Sequence, residues 1–218
     1  GKAMEAVTEP LLNFPDVINL TSRTQAMLAR SVVSAVLSDL ADNPALASWV
    51  NTGLSLHQGQ RLSTTCRFCD QPLPQRRVEQ LEAHFSDEFN RFVSDADSLI
   101  AEIQAAREFP LQLQAPPKEA LYANLRSEYE KALSALTQQT GLVRVAMDVL
   151  LRALQSKRDQ PFKTFDLTRF ITSASDDGGP AGGIETFFQM VFAGLSALSA
   201  AMGKAAFDQM GEIIKKHN

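Results

Sequence analysis

Cys66 and Cys69 are the only two cysteines among 218 residues, and two residues separate them. Two thiolates at that spacing can face one ion from a tight turn, the geometry that structural zinc sites use. The same spacing serves redox chemistry inside a βαβ pattern, and no such pattern surrounds it here. Tetrahedral zinc takes four ligands, so one pair is half a site. The other half is open: His57 and His84 of the same chain, or the Cys66/Cys69 pair of a second chain. His57 lies in the same loop and is the favoured third ligand. His84 should sit two to three turns into a long helix, where a surface histidine is the simpler reading. His217, next to the last residue, reads as a solvated helix end. Such a turn usually has Gly after the second Cys; Asp70 stands there and can also take a left-handed conformation. The plain alternative is a metal-free pair on a loop.

Other chemistry is sparse. No Gly-x-x-x-x-Gly-Lys-[Ser/Thr] run is present, and Gly203-Lys204-Ala205 lacks both the first glycine and the hydroxyl. His-Glu-x-x-His and Gly-x-Ser-x-Gly are absent too. The carboxylates fall on helix faces at spacings that read as solvation. Arg76-Arg77 and Lys157-Arg158 read as solvated or helix-end charges. Phe85, Phe89 and Phe92 read as core, because base stacking would need positive charge beside them. The net charge of −4 disfavours a dedicated nucleic-acid binder. Apolar runs stop well short of ~20 residues, so no membrane span is predicted. The first residues lead into no secretory pattern, and Gly1-Lys2-Ala3-Met4 resembles a cloning remnant. These readings predict a cytoplasmic, non-catalytic segment that binds no ATP by itself.

The elements that must carry the cysteines are helical. Residues 1–20, with Pro10 and Pro15, read as a lead-in. A helix capped by Thr21 or Ser22 should run to about Leu40 on Leu28, Val32, Val33, Val36, Leu37 and Leu40. Asn43-Pro44 should start a second helix with Ala45, Leu46, Trp49, Val50 and Leu54 buried. Leu56 to Pro74 reads as a loop. From Val78 onward Leu81, Phe85, Phe89, Phe92, Ala96, Leu99, Ile103 and Ala106 recur at mostly alternating threes and fours, a coiled-coil seam. It predicts one helix from about Gln75 to Arg107, stopped by Phe109-Pro110. After a linker of about nine residues, a helix from about Pro117 to Lys157 should fold back antiparallel to it. Its stripe is Leu121, Leu125, Tyr129, Leu133, Leu136, Val143, Met147, Leu150 and Leu154, and Gly141 within it suggests a kink or a close contact. Residues 159–183 read as a connector and flexible loop. Ile184 to Lys216 reads as one last helix, Leu195 on its apolar stripe. The predicted fold is all-α: a helical base over 21–74, a protruding antiparallel coiled-coil hairpin over 75–158, and a long C-terminal helix over 184–218.

Several stretches resemble a family of large bacterial coiled-coil ATPases of AAA/ABC type, which includes the RloC- and PrrC-like anticodon nucleases. They are Ser48-Trp49-Val50-Asn51-Thr52-Gly53-Leu54, His57, Cys66-Arg67-Phe68-Cys69-Asp70-Gln71-Pro72-Leu73, Val149 to Lys157, and Ile213 to Asn218. Arg67 and Asp70 stand where the family has Pro and Gly. The resemblance implies a defence-associated, SMC-like ATPase as parent. The remaining ATPase lobes would be the first partner, and a second copy of the chain another. The segment would then act as an interaction and lever element with a zinc knuckle. The alternative is a DNA- or tRNA-sensing module of the same parent, which the charge does not indicate.

Overall fold

A computed structural model describes residues 4–32, 37–57, 65–176, 183–194 and 197–218. The fold is all-α, as its apolar periodicities predict. Among the described residues there is no strand, only an isolated bridge between Thr65 and Pro72.

Helix α1 spans Val17–Ala29 and begins a turn earlier than expected, because the Asp16 carboxylate accepts from the Asn19 N–H at 3.0 Å. Thr21 is buried inside the helix instead of capping it. The expected continuous helix to Leu40 breaks at Arg30, which is extended, and the next described helix is the short α2 (Ser38–Ala41). Arg30 reaches away to Asp95 at 2.8 Å and lies 5.4 Å from the Phe92 ring centroid. Val33 and Val36 of the expected stripe lie outside the described residues. Helix α3, Pro44–His57, starts where expected, with Asn43 Oδ1 accepting from the Leu46 N–H at 3.1 Å.

The expected helix over 75–107 is two helices, α4 (Gln75–His84) and α5 (Asp87–Arg107). Ser86 interrupts the seam as a cap, its Oγ accepting from the Phe89 N–H at 3.4 Å, and Asp87 and Glu88 fill the first turn. The linker that follows is longer than expected. Residues 108–125 hold two 3₁₀ turns, and Pro116-Pro117 does not open the next helix. Arg126 wraps this turn, donating to the carbonyls of Leu121 and Glu119 at 3.0 Å each. Helix α6 then runs unbroken from Arg126 to Asp159. Gly141 makes no close contact there: a Cβ added to it would meet nothing within 4 Å.

Part of the expected connector is helix α7, Leu167–Asp176; residues 177–182 of the expected loop lie outside the description. The expected final helix is three: α8 (Gly183–Ala193), α9 (Ala197–Ala201) and α10 (Lys204–His217). Gly194 and Gly203 take φ of +61° and +95° at the breaks, a region other residues rarely enter. Leu195 is not described.

Antiparallel packing is set by paired charges. Arg107 meets Asp148 at 2.5 Å and Arg158 meets Asp97, so α5 and α6 run in opposite directions. Arg23–Glu102 and Arg30–Asp95 do the same for α1 and α5. This pair does not protrude. The C-terminal half of α6, with α5, sits inside a core built also from α1, α7 and α8. The N-terminal half of α6 packs with α10 in a second cluster around Tyr129, Leu136, Met210 and Ile214.

The glycines separate these constraints. Gly141→Ala should stabilise the fold by about 0.5–1 kcal/mol in urea denaturation, since it removes helix-interior flexibility where an added Cβ meets nothing. Gly203→Ala should destabilise it by more than about 1 kcal/mol, because φ is positive and the new Cβ would lie 2.9 Å from Leu136 Cδ1.

Candidate metal centre

The residues from Thr65 to Pro72 fold into a tight knuckle. The Cys66 N–H donates to the Gln71 carbonyl at 2.7 Å, and the Asp70 N–H donates to the Cys66 carbonyl at 2.8 Å. Closing so short a turn requires one left-handed residue, and Asp70 takes that place at φ +58°. The turn aims backbone amides at sulfur. Hydrogen bonds from the backbone of Phe68 and Cys69 pull the pKa of the Cys66 thiol down to about 7 against desolvation, which raises it; the side chains of Cys69 and His57 add lesser pulls downward. Cys69 and Phe68 at the tip are exposed, Phe68 to 88%.

His57 reaches this knuckle from the end of α3, not from a loop. Its Nδ1 lies 2.6 Å from the Gly53 carbonyl, and its Nε2 accepts from the Arg67 N–H at 3.0 Å. These partners place the proton on Nδ1. A histidine whose Nδ1–H is held by a carbonyl has the orientation that metal-bound histidines use. Its Nε2, however, is turned onto Arg67, and ligation requires that this bond be given up. Among the described residues, no group of three or more His, Cys, Asp or Glu is spaced to hold a metal ion. A thiophilic ion would take Cys66 and Cys69 as two ligands, and His57 as a third only after it gives up its bond to Arg67.

The other two histidines are elsewhere and are buried. His84 is not a surface histidine: it is fully enclosed, its ring 4.7 Å from that of Phe85 and 5.1 Å from that of Phe162. Its Nδ1 accepts from the Leu37 N–H at 3.2 Å, so it ties α2 to α4. His217 is not solvated either. Its Nδ1 accepts from the Tyr122 N–H at 3.2 Å, and its Nε2 lies 3.0 Å from the Glu5 carbonyl.

Lys157, expected as a solvated or helix-end charge, is a buried cation. Lys157 is fully enclosed; its Nζ donates to the Pro161 carbonyl at 2.9 Å and to that of Lys163, and sits 5.2 Å from the Phe92 centroid. It ties the chain that leaves α6 back onto the end of that helix. Burial, and to a lesser degree the Arg30 charge, lower its pKa to about 8. The sequence does carry a signal: Lys157 continues the stripe through Leu150 and Leu154. Arg158 and Arg77, by contrast, are surface residues paired with Asp97 and Asp39.

A family model described as an AAA domain matches residues 2–218. No curated protein and no solved structure matches the chain.

Lys157 leaves a signature in pH. Its folded pKa lies below the ordinary 10.5, so between about pH 8 and 10.5 the unfolded chain binds more protons than the folded one. This group should make stability rise with pH across that window. Denaturation midpoints of Lys157→Met should lack that rise.

Proposed function

We propose, for a chain that belongs to the AAA domain family, that these residues form a non-catalytic helical element of an ATPase. In this reading the Cys66/Cys69 knuckle holds zinc and clamps the end of α3 to the start of α4. The observation that carries it is the joined arrangement of knuckle and helix. Two thiols are presented by a turn with amides aimed at sulfur, and His57 is docked against that turn by a bond to Arg67. Bound zinc would replace several weak contacts by a covalent-strength cross-link, without itself supplying catalysis.

Nucleotide chemistry would have to come from outside this segment, because residues 1–218 contain no phosphate-binding Gly-Lys-[Ser/Thr] run. Nucleic-acid recognition finds less support. Arg23, Arg30, Arg77, Arg107 and Arg158 are all held by carboxylates and are not presented as a basic face.

Native mass measurement paired with metal analysis tests the clamp on zinc-loaded wild type, Cys66→Ser and His57→Ala. One zinc per chain, lost in Cys66→Ser and weakened in His57→Ala, is the expected result. One zinc per two chains would make the site a shared one. Absence of bound zinc after loading would remove the proposal.

A further inference from the structure

Cys66 and Cys69 are both free thiols, and as the only cysteines among 218 residues neither has another sulfur in the chain to pair with. Their turn is closed by its own backbone. The Cys66 N–H donates to the Gln71 carbonyl at 2.7 Å, the Asp70 N–H donates to the Cys66 carbonyl at 2.8 Å, and Thr65 and Pro72 bridge beyond them. Asp70 supplies the left-handed step that brings the two ends together. The Cys69 side chain thereby comes within hydrogen-bond reach of the Cys66 sulfur. Cys69 is exposed, so a small solute reaches the pair from the surface. Among the described residues no group of three or more His, Cys, Asp or Glu is spaced to hold an ion. A metal on these two sulfurs would keep open positions and would not shut that solute out.

We propose that Cys66 and Cys69 are an oxidant-sensing dithiol: a peroxide closes them into a disulfide, which evicts the metal and opens the clamp between α3 and α4. Eviction rests on the zinc reading of the knuckle; closure of the pair does not. One sulfur, as thiolate, attacks hydrogen peroxide: an S–O bond forms, the O–O bond breaks, and hydroxide leaves to take up a proton as water. The second thiol attacks that sulfenic sulfur: the S–S bond forms, the S–O bond breaks, and a second water leaves. Two thiols and one hydrogen peroxide become one disulfide and two waters, with two electrons passing from sulfur to oxygen. A disulfide has no thiolate left to hold a metal. The turn holds the two sulfurs together before reaction, which favours closure over bonding to a second chain. The loop that the bond spans is short, so the cross-link constrains the unfolded chain little, and at an exposed site it is readily reduced again. A bond easily made and easily undone acts as a switch. Among the described residues no βαβ unit surrounds the pair, so it reports oxidant and does not catalyse disulfide exchange.

Intact mass of the full chain, metal-free and zinc-loaded, before and after limited hydrogen peroxide tests this, with a chromogenic chelator following released zinc. The metal-free wild type should lose two hydrogens in an intrachain cross-link that peptide mapping places between Cys66 and Cys69 and that dithiothreitol reverses. Cys66→Ser and Cys69→Ser should instead gain oxygen, trapped by dimedone as sulfenic acid, or join two chains. Zinc-loaded wild type should release its metal as the cross-link forms. A wild type whose sulfurs are oxidised no differently from the lone sulfur of each variant overturns the inference. So does zinc that stays bound to a cross-linked chain. A cross-link in a chain that takes up no zinc would refute the clamp and support the sensing pair. A chain that binds zinc through Cys66 and forms no cross-link, metal-free or loaded, would keep the clamp and refute the sensor.

Discussion

Helix α6 must bury apolar surface at both ends, and the remaining elements are arranged to let it. Its first half offers Tyr129, Ala132 and Leu136 to α10, and its second half offers Val143, Met147, Leu150 and Leu154 to α5, α1, α7 and α8. A 34-residue helix is ~50 Å long, too long for any one partner here to cover. Two clusters therefore form along one spine. The chain reaches both by turning back at the linker over 108–125 and at Gly203, where Leu136 of α6 leaves no room for a side chain. Burial of this kind stabilises by roughly 25 cal/mol per Å², and it outweighs every surface ion pair in the molecule. The ion pairs between α1, α5 and α6 fix register more than they add stability.

Side-chain hydrogen bonds to backbone groups act as staples between segments. Each of the three histidines accepts a hydrogen bond from a backbone N–H well removed in sequence: Arg67 to His57, Leu37 to His84, Tyr122 to His217. Lys157 does the reverse and donates to the carbonyls just beyond its own helix. Asn218 pairs with both backbone groups of Val7, which holds the lead-in against the end of α10. These contacts occur where the backbone leaves a helix and would otherwise lack partners. They also explain why irregular segments such as the lead-in over 4–16 stay close to the helical core.

The knuckle and α3 lie away from that spine. α3 contacts α2 and α4, and it buries none of its own residues. A structural metal is one way to stabilise a region with so little core of its own. The whole of this region lies within the stretch that matches the AAA domain family.

The sequence by itself determined the class of fold, the apolar faces of α5, α6, α8 and α10, and the cysteine-bearing turn. The seam through Phe92, Ala96, Leu99 and Ile103 and the stripe through Tyr129 to Leu154 are buried as their spacing demands. Asp70 is left-handed where the turn requires it, and Asn43 caps α3. Tertiary structure alone decided where the long periodic runs break, because periodicity continues across a cap or a glycine without marking it. Ser86 ends one helix and starts another inside an intact seam, and Gly194 and Gly203 divide the last run into three. It also decided which neighbour covers each face. Periodicity names an apolar stripe but not its partner, so Leu46, Trp49 and Leu56 face outward while His84, Lys157 and His217 are enclosed. Burial depends on contacts made by residues far apart in the chain, and no local pattern contains them.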